Sequence, residues 1–172
     1  MPRPSSTEYP SYFKNYIETV KAENVAELFT NYTVLLNTFI SNIPEAKADY
    51  RYAENKWTVK EILQHIIDTE RIFAYRALRI ARNDDTPLAG FDENNYAKNA
   101  NTNERKLQSL KDEFIAVRKS TDLLLQSFNE KQLQQVGTTN NNATTVNAIC
   151  FIIYGHLLHH KKILEEIYEV YL

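Results

Sequence analysis

A chain of 172 residues, 43% hydrophobic and 24% charged, has the length and balance of one globular domain with a sizeable core, which excludes a disordered chain. Twenty basic against twenty-two acidic residues give a net charge of -2, so no broad positive field draws the protein to nucleic acid or to an anionic membrane. A single cysteine, Cys150, excludes an intrachain disulfide, and three glycines are too few for a turn-rich β fold.

Residues 1–172 are read as one domain with 1–8 as a flexible N-terminal tail. No apolar run has signal-peptide or membrane-spanning character, so the protein is expected in the cytoplasm. Tyr9, Tyr12, Phe13, Tyr16, Ile17 and Val20 form one apolar stripe, which predicts a short helix from near Pro10. A second helix starts at Asn24, with Glu27 three residues on as a capping box of the Asn type. Its stripe runs from Val25 through Leu28, Phe29, Tyr32, Leu35, Leu36 and Phe39 to Ile40, and Pro44 marks its end. The clearest start lies in WTVKEI at 57–62, where Thr58 and Glu61 form a capping box and Trp57 and Ile62 hold the positions of a hydrophobic staple. That helix runs to about Arg82, and NDDTP at 83–87 stops it. A third long helix begins near Asn101 or Thr102, its stripe of Leu107, Leu110, Phe114, Val117, Thr121, Leu124 and Phe128 alternating steps of three and four. The last opens at Thr144 or Thr145, after a polar stretch at 137–142, and runs nearly to Leu172.

The expected fold is all-α: a four-helix bundle with a short leading helix. Bundle helices are usually joined by roughly 2–8 residues, and the connection at 83–100 is about twice that. Such a link can cross the bundle and permits up-down-down-up order.

All four histidines fall in two helices. His156 and His160, four apart, project from one face and can share a metal ion. The inward stripe of the last helix is Ile149, Ile153, His156, His160, Ile163, Ile167 and Val170; His159 lies about 100° from His160 around the helix. His65 sits beside Ile62, Ile66 and Thr69 and also faces inward. Three inward imidazoles need partners, and two readings supply them: a hydrogen-bonded core, or one transition metal (Zn, Ni, Cu or Fe) with a position left open. Leu157 stands where a zinc-protease helix has its glutamate, which disfavours that mechanism. Glu61 is either only a capping residue or a group near the metal. Asp68 either orients an imidazole or pairs with Arg71 at the surface. Arg71, Arg76, Arg79 and Arg82 read as a solvated, salt-bridged face, with anion binding as the alternative. Tyr9, Tyr12 and Tyr16 read as packing, and Cys150 as an inert core residue.

The runs WTVKEILQHIIDTERIFAYRALRIAR at 57–82, PLAGFDENNYA at 87–97 and GHLLHHKKIL at 155–164 resemble those of the DinB-like superfamily, over nearly the whole chain. The resemblance implies an up-down-down-up bundle, a homodimer, and one divalent metal, Zn or Ni being usual, held by His65, His156 and His160. Two departures stand out: Leu157 where relatives often have Glu, and VGTTNNNATTV at 136–146 with Asn where relatives often carry a second Gly. The better-understood relatives resemble thiol S-transferases that use bacillithiol, mycothiol or glutathione; others are labelled metal-dependent hydrolases. The expectation is therefore a metal-dependent enzyme with a small-molecule substrate and a low-molecular-weight thiol as co-substrate. The alternatives are a metal-dependent hydrolase and a non-catalytic, metal-binding stress-response protein. Neither nucleic acid nor membrane is an expected partner.

Overall fold

Capping fixes where three of the four long helices begin. The computed structural model describes residues 1–171, and α2 (Val25–Ser41) opens where the Asn24 side chain accepts the Glu27 N–H at 3.1 Å. The Thr58–Glu61 capping box closes reciprocally at 3.2 and 2.7 Å and opens α3 (Val59–Ala81). Thr145 accepts the Ala148 N–H at 3.0 Å and opens α7 (Val146–Glu166). Only α5 (Leu107–Gln126) lacks a side-chain cap, and it starts later than its stripe suggested because 102–104 form a 3₁₀ turn. Ahead of these, a 3₁₀ turn at Ser11–Phe13 leads into the short α1 (Lys14–Thr19).

Hydrogen bonds between helix ends give the topology. Lys60 Nζ donates to Arg105 O at 3.3 Å, and the Arg82 guanidinium lies 6.0 Å from the Phe128 ring, so α3 and α5 run parallel. The Tyr168 hydroxyl donates to Trp57 O at 2.7 Å, joining the end of α7 to the start of α3. The Tyr171 hydroxyl donates to Phe39 O, joining the ends of α7 and α2. Lys111 Nζ donates to Ser41 O at 3.1 Å, so α5 opposes α2. The order is up-down-down-up. After 23 residues of α3, about 34 Å at roughly 1.5 Å per residue, the chain must return to the opposite end before α5, which is why the connection is long.

That connection carries a helix of its own, α4 (Glu93–Asn99), capped by Asp92. Beyond α5, a single helical turn, α6 (Glu130–Leu133), leads into a hairpin not foreseen in the polar stretch: β1 (Val136–Thr139) pairs antiparallel with β2 (Asn142–Thr145). Its turn is Asn140–Asn141, both at positive φ (48° and 62°), the requirement of a two-residue hairpin loop. Asparagine therefore supplies here the left-handed backbone that glycine usually supplies in such a loop. Among the described residues, positive φ falls on Asn55, Asn83, Asn101, Asn140, Asn141 and Glu169, and on none of the three glycines. Leu88 N–H donates to Thr138 O at 2.9 Å and Asn140 N–H to Leu88 O at 2.8 Å, pinning the crossover to the hairpin.

Three expectations are corrected. Residues 1–8 are tied down rather than free. Arg3 donates to the carbonyls of Val20 (2.7 Å), Ala22 (3.3 Å) and Ile17, tying the N-terminus to the end of α1 and the segment that follows it. Asn147 holds Pro2 O at 3.0 Å, and Thr145 N–H donates to Glu8 O at 3.0 Å. Second, α7 ends at Glu166: the Tyr168 N–H turns back to Ile163 O at 3.1 Å, so Ile167 is 47% exposed while Leu164 and Tyr168 are buried. Leu172 lies outside the described residues. Third, the first part of α7, Val146 to Leu157, is buried all round, because α1, α2 and α3 all pack on it. Gly155 lets α1 approach, since a Cβ there would sit 2.3 Å from Tyr16 O.

Groups from all four bundle helices meet in a buried polar cluster. Arg118 of α5, fully buried, pairs with Glu70 of α3 at 2.8 Å and with Asp122 one turn on. Asp122 also accepts from the Tyr154 hydroxyl of α7 at 2.6 Å and from Thr33 of α2 at 2.9 Å. Burial opposes the charge on Arg118, but the carboxylates win and hold its pKa above the ordinary value. Sliding α3 against α5 by a turn would strand a charge, so the cluster fixes the register of that pair. No helix among the described residues is long and apolar enough to cross a membrane.

Candidate metal centre

Antiparallel packing of α3 on α7 sets His65 against His156 and His160. Their Nε2 atoms converge: His65 to His156 at 3.0 Å and His156 to His160 at 3.1 Å, with all three ligand atoms within 4.8 Å of one another. An imidazole nitrogen presents a single proton or lone pair along one in-plane direction, so His156 Nε2 cannot serve both neighbours well by hydrogen bonding. Three convergent lone pairs suit one cation with bonds of roughly 2 Å. Thr69 Oγ1, 3.4 Å from His65 Nδ1, can accept the Nδ1 proton and leave the Nε2 lone pair free. The donor set fits a divalent transition metal.

Burial keeps the rings neutral, as ligands must be. It lowers His65 to about 4, and it lowers His156 and His160 well below their ordinary value, with neighbouring imidazoles adding to the effect. A histidine whose folded pKa is depressed leaves stability intact above the unfolded value of about 6.5 and lost as pH falls, because the unfolded chain takes up the proton first. The metal-free chain should thus show a falling urea midpoint from about pH 6.5 to 5, before carboxylates titrate. His65→Ala should flatten that slope. A midpoint constant over this window would contradict the buried neutral trio.

The cluster opens into a cleft of about 390 Å³ rather than a sealed core. Trp57 stacks near His65 (centroids 4.9 Å) and Tyr16 meets His156 edge-on (5.7 Å), while Phe73 lies 6.3 Å from His156. His159, exposed as its position off the stripe requires, faces Tyr16 instead (5.3 Å). Glu61 is occupied by the capping box. Asp68 points away from the imidazoles: it accepts from Gln64 at 2.9 Å, lies 4.0 Å from Arg71, and lines a separate cleft beside α4. Cys150 is fully buried, its thiol pushed up to about 12 by burial.

Other site-lining residues were not singled out by the sequence. Tyr12 and Tyr16, read as packing, line the cleft, and so do Glu93 and Asn140. Arg76, read as part of a solvated face with anion binding as the alternative, is 6% exposed and forms part of the cleft wall. The run at 87–91 carries the signal that could have located it: Gly90, whose Cβ would lie 2.4 Å from the Asn140 side chain, lets the crossover close over the hairpin and Arg76.

Two solved structures share this architecture. YfiT of Bacillus subtilis, a probable metal-dependent hydrolase with an unusual four-helix bundle topology, superposes with a TM-score of 0.68 at 15% identity, over 97% of this chain and 90% of its own. Mycothiol-dependent maleylpyruvate isomerase superposes with a TM-score of 0.68 at 13% identity, over 85% of this chain and 64% of its own. At these identities the likeness is one of fold. No curated protein matches the sequence significantly. A sequence model of the DinB superfamily matches residues 29–164, a span reaching from α2 past the paired histidines of α7, and this chain belongs to that superfamily.

Proposed function

We propose that the chain is a metal-dependent thiol S-transferase, with Zn or Ni held by His65, His156 and His160 and a low-molecular-weight thiol attacking a small electrophile. The observation that carries this reading is the convergence of three neutral imidazoles at the floor of an open cleft. A divalent ion there would act as a Lewis acid that favours the thiolate at neutral pH. The chain supplies orientation and dryness: Thr69 sets the His65 tautomer, and Trp57, Phe13 and Phe73 exclude water from the cleft. The likeness to a mycothiol-dependent enzyme supports a thiol as partner. A cytoplasmic homodimer completes the reading, and sedimentation equilibrium checks the dimer.

The second reading is metal-dependent hydrolysis, favoured by the likeness to YfiT and by Glu93, the one carboxylate among the cleft-lining residues. Metal-loaded chain should accelerate conjugation of a thiol to an epoxide or alkyl halide, and metal-free chain should not. The advantage should shrink above a pH of about 8.5, where the free thiol ionises unaided. Ester or amide hydrolysis without any thiol would favour the second reading instead. A thiol rate identical with and without metal would refute transfer, and inactivity across both panels would leave a non-catalytic, metal-binding stress-response protein.

A further inference from the structure

Arg76 is a buried cation without a carboxylate. It stands three turns beyond His65 on the same wall of the cleft and is 6% exposed. Of its five N–H donors, one on Nη2 is used, donating to Ala89 O at 2.7 Å. Arg71, Arg79 and Arg118 each hold a carboxylate; among the described residues no carboxylate lies within ion-pair distance of Arg76, and the Tyr12 phenol is the ionisable group that favours its charge. Holding Ala89 O needs a donor, not a charge, and a neutral amide would serve. A guanidinium largely withdrawn from water with no counter-charge is costly, and its unpaired N–H groups open onto the cleft rather than being sealed in the core, so its retention on a cleft wall calls for an anion that comes and goes.

We infer that Arg76 anchors a carboxylate on one of the two small molecules that meet in the histidine cleft, an inference that rests on reading the cleft as the reaction chamber. A planar guanidinium fits a carboxylate in bidentate fashion. Glu93 makes a singly charged anion the better match. Glu93 lines the same cleft and acts on His65 and Tyr16, so its carboxylate would repel a doubly charged phosphate in the cleft more than a singly charged carboxylate. The span is limited: the Phe73 ring neighbours both groups, 5.6 Å from the guanidinium carbon and 6.3 Å from the His156 ring. The ligand is therefore a short organic acid whose reactive end reaches the imidazoles while its carboxylate stays at Arg76.

The carboxylate could belong to the thiol or to the electrophile, and matched pairs of probes separate the two by titration calorimetry on the full chain. With zinc-loaded protein, mercaptopropionate and mercaptohexanoate are compared with the corresponding mercapto-alcohols. With zinc-loaded protein saturated in mercaptoethanol, and again with metal-free protein, hexanoate is compared with hexanamide. In at least one set the acid should bind about ten- to a hundredfold tighter than its neutral partner, the effect of a charged hydrogen bond. Preference among the mercapto-acids assigns the carboxylate to the thiol; preference for hexanoate assigns it to the electrophile. Arg76→Gln should abolish the preference, and Arg76→Lys, which keeps the charge but not the bidentate fork, should keep only part of it. Equal binding of acid and neutral partner in every set by the unaltered chain overturns the inference without recourse to a variant. So does a preference undiminished in Arg76→Gln, which would place the carboxylate on the metal. Hexanoate binding through Arg76 by protein that catalyses no thiol transfer would refute the transferase reading and leave the anchor standing.

Discussion

Protein purified without a tag should carry close to one transition-metal ion per chain, and His65→Ala, His156→Ala or His160→Ala should each cost more than about a hundredfold in metal affinity. Loss of a supporting partner alone costs about 10–100-fold, and removing one of only three ligands should exceed that. His156 should be the most sensitive, since its Nε2 lies within 3.1 Å of both other ligand nitrogens. His159→Ala should leave occupancy unchanged, because that ring is exposed and turned toward Tyr16. Elemental analysis of the four variants decides the matter. Equal losses in all four would mean that helix face does not select the ligands.

Arg118→Met should be the most destabilising single substitution outside the apolar core. It removes the cation that faces Glu70 and Asp122 and leaves two carboxylates buried. Breaking a buried ion pair from one side costs about 3–5 kcal/mol. At about 2–4 °C per kcal/mol for a chain of this size, the melting temperature should fall by roughly 6–20 °C. Replacing Glu70, Arg118 and Asp122 together by apolar residues of similar volume should cost much less, because no charge is then stranded. Thermal and urea unfolding followed by circular dichroism measure both. A loss below about 0.5 kcal/mol for Arg118→Met, the ordinary range for a surface change, would show that the cluster is hydrated rather than dry.

The parts of this fold that sequence revealed are those governed by local chemistry. Asn24, Thr58 and Thr145 cap because a side-chain oxygen three residues ahead of a free N–H acts whatever the tertiary context. His65, His156 and His160 stood out because each falls on an inward stripe, and packing two such stripes together brings them into contact. What stayed hidden depended on distant segments. Arg76 looks like its neighbours Arg71 and Arg79 until the crossover, 13 residues downstream at Ala89, folds over it. Asp68 sits one turn from His65 in sequence, yet its side chain turns to Gln64 and α4. The hairpin was missed because its strands have four residues each and its turn is Asn-Asn, without the glycine that usually marks such a loop. Ile167 fell on the extrapolated stripe of a helix that had already ended at Glu166.

The left-handed asparagines have a consequence for the denatured state. At five of the six positive-φ positions the residue is Asn, while Gly90, Gly137 and Gly155 all have ordinary backbone and are distinguished by what a side chain there would strike. Turn-making and close approach, which one residue type often serves together, are divided here between two. Asn tolerates the left-handed region better than other residues with a Cβ. Unlike glycine, it does not give the denatured chain the full freedom that must be surrendered on folding. The reversals at 55, 83, 101 and 140–141 thus limit the entropy of the denatured ensemble, a contribution to stability that no folded-state contact records.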